Sequence, residues 1–442
     1  MQTTFTAAQL QSPSLAEADR ILKTCNHYGF CTATCPTYVL LGDELDAPRG
    51  RIDLMHTMLA QEGPPDADTV AHIDRCLSCA ACMTTCAVNV DYMHLVDIGR
   101  AHIERNYRRP LADRLLRDAL AFVLPNRQRF RLALQMAAMA RPFRKLLPAR
   151  LRAMLDLAPR TMMSGGPGPL PSGTRTVALF AGCVQDVIAP QINAAAIRLL
   201  GRQGVGVIVP DTGCCGSLTL HMGRADQAKL MARRTIDGLW PHMKELSAIV
   251  MTASGCGTTV KDYAYFLRDD PAYAEKAAAV SAIAKDICEF LSELGLREVA
   301  HMRRAVAYHD ACSMRNVQKV TAQPRTLLRQ AGFEIHDVPE NQLCCGSAGT
   351  YNILQPKIAA QLGERKAERV MSTGAPILAV GNIGCMTQLN QYLRDMPVVH
   401  TVELLDWATG GPMPASLAGF DWPEIPNRAE VVGQDAAPAG LW

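Results

Sequence analysis

TGCCGS, residues 212–217, returns as QLCCGS at residues 342–347, an offset of 130. Two further cysteine pairs keep that spacing: Cys183 with Cys312, and Cys256 in ASGCG with Cys385 in NIGCM, each 129 apart. Four markers on one period predict a duplicated module. Around them lie short apolar runs, each closed by a glycine or polar break and followed by a helical pattern. They are TVALFAG, VGVIVP and AIVMTA in the first copy, and RAVAYHD, FEIHDVP and PILAVGN in the second. That alternation predicts α/β units with mainly parallel strands. Cys183, Cys214, Cys215 and Cys256 then fall past the carboxyl ends of strands, where open sheets collect ligands. Cys312, Cys344, Cys345 and Cys385 do the same. Each module gathers four thiols on one edge. Adjacent cysteines can touch two irons of one cluster, with Gly216 or Gly346 permitting the turn. A lone cysteine is usually a core residue, and Cys288 in ICEFLSEL is read so, but eight in register are a candidate metal or redox set.

Upstream, RCLSCAACMTTCA at residues 75–87 places Cys76, Cys79, Cys82 and Cys86 at C-x2-C-x2-C-x3-C. This is the spacing of a two-cluster ferredoxin, in which three thiolates wrap one cluster and the fourth reaches the other. Soft thiolates suit iron–sulfur chemistry. The same cadence stands in TCNHYGFCTATCP, residues 24–36, as Cys25, Cys31 and Cys35. Here Tyr28 occupies the second cysteine's place. Crossed ligation would give one cluster Cys76, Cys79, Cys82 and Cys35, and the other Cys25, Cys31 and Cys86. Three outcomes stay open for the latter: a three-iron cluster, a fourth iron held by water or the Tyr28 phenolate, or an empty site. The stretch RIDLMHTMLAQ between the groups reads as a helix with core methionines.

The chain has 442 residues and a formal net charge of +3, enough for two or three domains. The expected parts are a helical ferredoxin-type domain (1–105), a basic helical connector (106–160), a linker (161–175), two modules (176–300 and 301–407) and a flexible tail (408–442). The fold class is α+β overall. Residues 100–160 carry 15 Arg and Lys against four Asp and Glu. A solvated helical face, a docking surface for a partner subunit and a contact with anionic membrane all fit that pattern. No nucleic-acid-binding motif is present, and none is expected as a partner. The N-terminus lacks the pattern of a signal peptide, and no apolar run approaches a membrane span. Sixteen cysteines, all but Cys288 in patterned groups, in a chain expected in the cytoplasm favour metal over disulfides.

CNHYGFCTATCPTYVLLGDELDAPRGR, CLSCAACMTTC and the two CCGS motifs together resemble the iron–sulfur subunit of bacterial glycolate oxidase. The wider clan holds the third subunit of anaerobic glycerol-3-phosphate dehydrogenase, lactate-utilisation proteins and heterodisulfide reductase subunits. The resemblance covers roughly residues 20–410. It implies two [4Fe-4S] clusters on the ferredoxin cysteines, and two flavoprotein-type partner subunits carrying the flavin that oxidises glycolate to glyoxylate. It also implies electron delivery to a quinone or other acceptor, and a peripheral place on the cytoplasmic face of the inner membrane. In the heterodisulfide reductase relatives the module ends in C-x2-C. Here Ala253 and Asn382 replace the first cysteine of that pair, which leaves an extra cluster at the CCG motifs open. The alternatives are a subunit of another 2-hydroxyacid or glycerol-3-phosphate dehydrogenase, and a thiol–disulfide enzyme.

No dinucleotide fingerprint, P-loop or nucleophile elbow appears, so the chain alone is expected to be non-catalytic. His309 and Asp310 read as a strand-end cap that hydrogen-bonds to cluster sulfur or backbone, with an acid/base pair as alternative. Arg49 and Arg51 read as surface ion pairs, with donation to cluster sulfurs, which would raise a cluster's potential, as the alternative.

Overall fold

The computed structural model describes residues 1–61, 63–159 and 168–425. Its N-terminal part is helical, with helices Pro13–Thr24, Pro36–Leu41, Pro48–Ala60, Ala67–Asp74, Ala81–Thr84 and Tyr92–Asn106. Three of them start on proline, whose fixed φ suits the first helical turn and whose missing N–H is not needed there. Asp66 and Asp91 cap two others by accepting from the Thr69 and His94 amides. The faces so aligned bury Ile21, Leu22, Ile52, Met55, Leu59, Ile73, Leu95 and Ile103 in one core. Each such side chain contributes roughly 1.5–3 kcal/mol. The connector forms helices Leu111–Val123, Arg127–Ala140 and Ala149–Leu157. Much of its charge is paired: Arg109 and Arg117 both reach Asp74, at 2.6 and 2.9 Å.

The first sheet holds β1 (Arg175–Phe180), β2 (Val205–Ile208), β3 (Leu246–Met251) and β4 (Ala284–Asp286), in the order β2-β1-β3-β4. The second holds β5 (Arg304–His309), β6 (Phe333–Asp337), β7 (Leu378–Val380) and β8 (Val398–His400), in the order β6-β5-β7-β8. Every pairing is parallel. Six strands lie in the six apolar runs; β4 and β8 close the two sheets at matching edges. Between β3 and β4 the first module has helices Ser254–Lys261, Tyr263–Phe266 and Ala274–Ala282, where the second, between β7 and β8, has helix Ile383–Leu389 and a short turn.

The modules pack reciprocally. Helix Pro190–Arg202, after β1, lies on helix Thr401–Ala408, after β8, while helix Ile287–Leu294, after β4, lies on helix Ala322–Gln330, after β5. One hydrophobic core spans both sheets as a result, and Cys288 sits in it as expected.

The composition of residues 408–442 suggested a flexible tail, but as far as 425 the chain is packed. Leu417 and Trp422 are buried, and the Trp422 indole donates to the Ala305 carbonyl at 3.2 Å. Two aromatic residues and a leucine supply enough apolar surface to hold a segment rich in Pro and Gly. Residues 426–442 lie outside the described residues, as do 161–167 of the expected linker. The rest of that linker is tied down, with the Pro171 carbonyl accepting from the Val207 amide at 2.9 Å.

Candidate metal centres

All sixteen cysteines are free thiols, and most are buried. Cys25, Cys31, Cys86 and, from the buried group, Cys82 line one shallow pocket with Tyr28, Gly29, Phe30, Arg49 and Val90. The chain therefore folds Cys86 back to the first motif, across some sixty residues of sequence. Tyr28 stands at the rim, 61% exposed, with its ring 6.2 Å from that of Phe30. This pocket is the surface-facing thiol group of the N-terminal part.

Cys35, Cys76, Cys79 and Cys82 are all buried, and they lie close enough to repel one another electrostatically as thiolates. Backbone amides serve both groups: Ser78 donates to Cys76 at 3.4 Å and Val90 to Cys86 at 3.3 Å. Arg51 is a correction to the sequence reading. It is fully buried, not a surface ion pair, and donates to the His72 carbonyl (2.7 Å), Thr37 (3.0 Å) and Asp46, with Cys35 at 3.9 Å. Arg100, also buried, donates to the Cys76 carbonyl and Ser78. Arg49 does pair at the surface, with Glu44.

In the first module the Cys183 and Cys214 thiols are 3.4 Å apart, and Cys256 lies within hydrogen-bonding reach of Cys215. In the second, Cys312 and Cys344 are 3.9 Å apart, and Cys385 lies beside Cys345. The turn that brings the paired cysteines inward needs glycine. Gly216 and Gly346 have φ of 93° and 89°, and a Cβ there would meet the Ala228 and Ala359 carbonyl oxygens at 2.9 and 2.6 Å. Hydrogen bonds from Cys183 and Cys215 hold Cys214 well below the usual thiol range. In the second module those from Cys344 and Cys385 do the same for Cys345.

The acid/base reading of the strand end fails for Asp310, because its buried carboxylate is engaged by Arg315 (2.9 Å), Arg325 (2.7 Å) and Asn341 (2.9 Å). His309 points instead toward Cys345 and Cys385. Sequence reasoning also missed Lys366. Its buried ammonium donates to the Glu340 carbonyl at 2.7 Å near the second module's thiols.

The groups adjoin. Cys79 packs with Cys344 and Cys312 in a small apolar cluster with Leu77 and Tyr351. Asn316 donates to the Cys79 carbonyl at 2.8 Å, and Tyr351 to the Arg75 carbonyl at 2.9 Å. Between the modules, Ser254, two residues before Cys256, meets Ser313, next to Cys312, at 2.7 Å. Cys214 finally opens on a surface cleft lined by Arg127, Arg129, Gln227 and Arg234.

Residues 21–90 match the 4Fe-4S dicluster domain, and residues 177–261 and 306–390 each match the cysteine-rich domain. Over 411 residues the chain is 40% identical to the glycolate oxidase iron–sulfur subunit of Escherichia coli K12, covering 92% of this chain and 99% of that one. The chain belongs to the glycolate oxidase iron–sulfur subunit family. A probable glycolate oxidase iron–sulfur subunit of Bacillus subtilis is 31% identical over 88% of this chain and 94% of its own length. Lactate utilization protein A of the same organism is 27% identical over 52% of this chain.

For a glycolate oxidase iron–sulfur subunit, the ferredoxin-type thiols fit the cluster the family implies. Burial pushes the Cys79 and Cys82 thiols well up, so alone they are neutral. Coordinated iron would supply the charge that ionises them. The Arg51 and Arg100 guanidinium groups stand where the resulting negative charge needs an offset. No helix of the described residues is long and apolar enough to cross a membrane.

Proposed function

We propose that this chain relays electrons in a glycolate dehydrogenase (glycolate oxidase) complex. In that reading glycolate loses two electrons and two protons to become glyoxylate at a flavin held by one of two flavoprotein-type partner subunits. Bound clusters accept and pass electrons singly, which lets a two-electron flavin feed a quinone or other acceptor. The observation that carries the reading is the contact of Cys79 with Cys312 and Cys344. It sets the ferredoxin-type thiols against those of the second module, whose Ser313 in turn meets Ser254 of the first.

The residues of this chain have distinct tasks in this arrangement. Cys25, Cys31 and Cys86 would hold a cluster near the surface, of three-iron type because Tyr28 offers no thiolate. Cys35, Cys76, Cys79 and Cys82 would hold a buried [4Fe-4S] cluster, and the module thiols a further redox centre. Leu77 and Tyr351 exclude water between them. A partner needs a face to dock on, and the connector offers exposed Leu111, Leu115, Phe122, Leu132, Met136 and Met139 beside its arginines. The same face supports a peripheral place on the cytoplasmic side of the inner membrane.

The test is low-temperature EPR of the anaerobically purified complex, before and after glycolate. A near-isotropic three-iron signal before, joined by a [4Fe-4S] signal with glycolate, is expected. Glycolate oxidation by this chain alone would overturn the relay role. Clusters that dithionite reduces but glycolate does not would assign another substrate.

A further inference from the structure

The two modules are built alike but not lined alike. β1 ends on Phe180 and β5 on His309, at the same position of the same strand. Phe180 packs in the first module's core with Ile249 and Cys215. His309 is 1% exposed, and its ring nitrogens meet no oxygen or nitrogen partner; what they face is the Cys345 thiol. A thiol is a weak hydrogen-bond partner for a buried imidazole, so a histidine kept among thiols implies something stronger for it to bind. One of its nitrogens and the Cys345 and Cys385 thiols lie within 4.8 Å of one another. Metal–ligand bonds of ~2.0–2.3 Å put tetrahedral donors ~3.3–3.8 Å apart. Small side-chain adjustments therefore close the three donors on one ion, with the neighbouring Cys344 thiol at hand as a fourth. Asp310 is no rival donor, since its arginines hold it. The second module also brings the Lys366 ammonium near its thiols, where the repeat places the apolar Ile236 in the first.

We propose that the second module carries a mixed imidazole–thiolate metal site, with His309, Cys345 and Cys385 as ligands, that has no counterpart in the first module. Such a donor set takes a first-row metal of intermediate softness, a single zinc ion or the iron of a cluster. In either case His309 supplies a neutral ligand where a cysteine would add a negative charge. The site it completes is thus electronically distinct from the thiol-only set at Cys183, Cys214, Cys215 and Cys256.

The experiment uses the tag-free full-length chain with its co-purifying subunits, grown with 15N-histidine. Zinc and iron are quantified, X-ray absorption is recorded at the zinc edge, and histidine-nitrogen hyperfine coupling is sought on the iron signals. Zinc ligated by one nitrogen among sulfurs, at about one equivalent per chain, is the expected result for a lone ion. A histidine coupling on an iron signal is the expected result for a cluster. His309→Ala should lose that equivalent or that coupling, Cys385→Ser should lose the same one, and the ferredoxin-type signals should persist in both. A wild-type protein with no nitrogen-ligated zinc and no histidine coupling overturns the site, without reliance on the folding of a variant. An unchanged coupling or zinc content in folded His309→Ala overturns it equally.

Discussion

Arg51 and Asp46 form an ion pair at 3.2 Å in which both side chains are only 1% exposed, beside the Cys35 thiol. Burying two charges is worthwhile when every donor and acceptor is used. Here Asp46 also takes His72 at 3.0 Å and Arg75 at 2.9 Å. Replacing Arg51 with Met should cost roughly 3–5 kcal/mol, because a buried carboxylate loses the most deeply buried of its partners. It should also make the centre served by Cys35 harder to reduce. Redox titration followed by EPR reads the second effect, and Arg51→Lys should restore part of it. An unshifted potential in a folded Met variant would leave Arg51 a structural residue alone.

His94 joins the N-terminal part to the first module. It lies between Asp91 (2.6 Å) and Asp262 (3.1 Å) and stacks on Tyr265 at 3.5 Å. Burial alone would lower its pKa, but the two carboxylates outweigh it and hold the imidazolium up to about 9. The unfolded value is about 6.5. A raised folded pKa adds stability that is complete below the unfolded value and is lost as pH rises through the folded one. The stability advantage of wild type over His94→Gln should therefore be largest below about pH 6.5 and shrink toward about pH 9. Urea midpoints across that range check it, and a pH-independent gap would contradict it.

Tyr28 sits at the rim of its pocket with most of its ring in solvent. Tyr28→Cys should therefore change stability by no more than about 0.5 kcal/mol. It should also supply the missing thiolate and replace a three-iron EPR signal with a [4Fe-4S] one. Retention of the three-iron signal in the variant would mean that loop geometry, not ligand count, sets the cluster type.

Gly346→Ala combines a left-handed backbone with a Cβ 2.6 Å from a carbonyl oxygen, whereas Gly374, at φ 68°, has nothing within 4 Å. Alanine at Gly374 should cost only the backbone strain, about 1–2 kcal/mol. Alanine at Gly346 should cost clearly more, because the Ala359 helix must move. Thermal unfolding of the two variants side by side is the check; equal losses would argue against the close approach.

The architecture was readable because repetition and spacing are local. The CCGS period located the modules, and six apolar runs located six strands. β4 and β8 escaped notice because AKD and VVH, unlike the equally short β7 in PILAVGN, stand in no longer apolar run; sheet edges and the capping groups Asp286 and His400 fix them instead. The cysteines could be grouped by spacing, but Cys79 against Cys312 is a contact across more than two hundred residues, and no local pattern encodes it. Arg51 was misread for a related reason. In sequence it is one arginine near another, and only the helix face it occupies decides that it turns inward while Arg49 turns out.

The hydrogen bonds from Asn316 and Tyr351 to the Cys79 and Arg75 carbonyls come from chain made long after the loop that carries them. At about 5–20 residues per second, residue 351 leaves the ribosome on the order of ten to fifty seconds after Cys86. For that interval the loop lacks its cover from the second module, and the thiols that later lie buried are open to cluster-delivering proteins. Once the cover closes, the route inward closes with it. A cluster lost from the buried thiols of the finished molecule would have to be reloaded past that cover. Cofactor loading is therefore an event of biogenesis more readily than of repair.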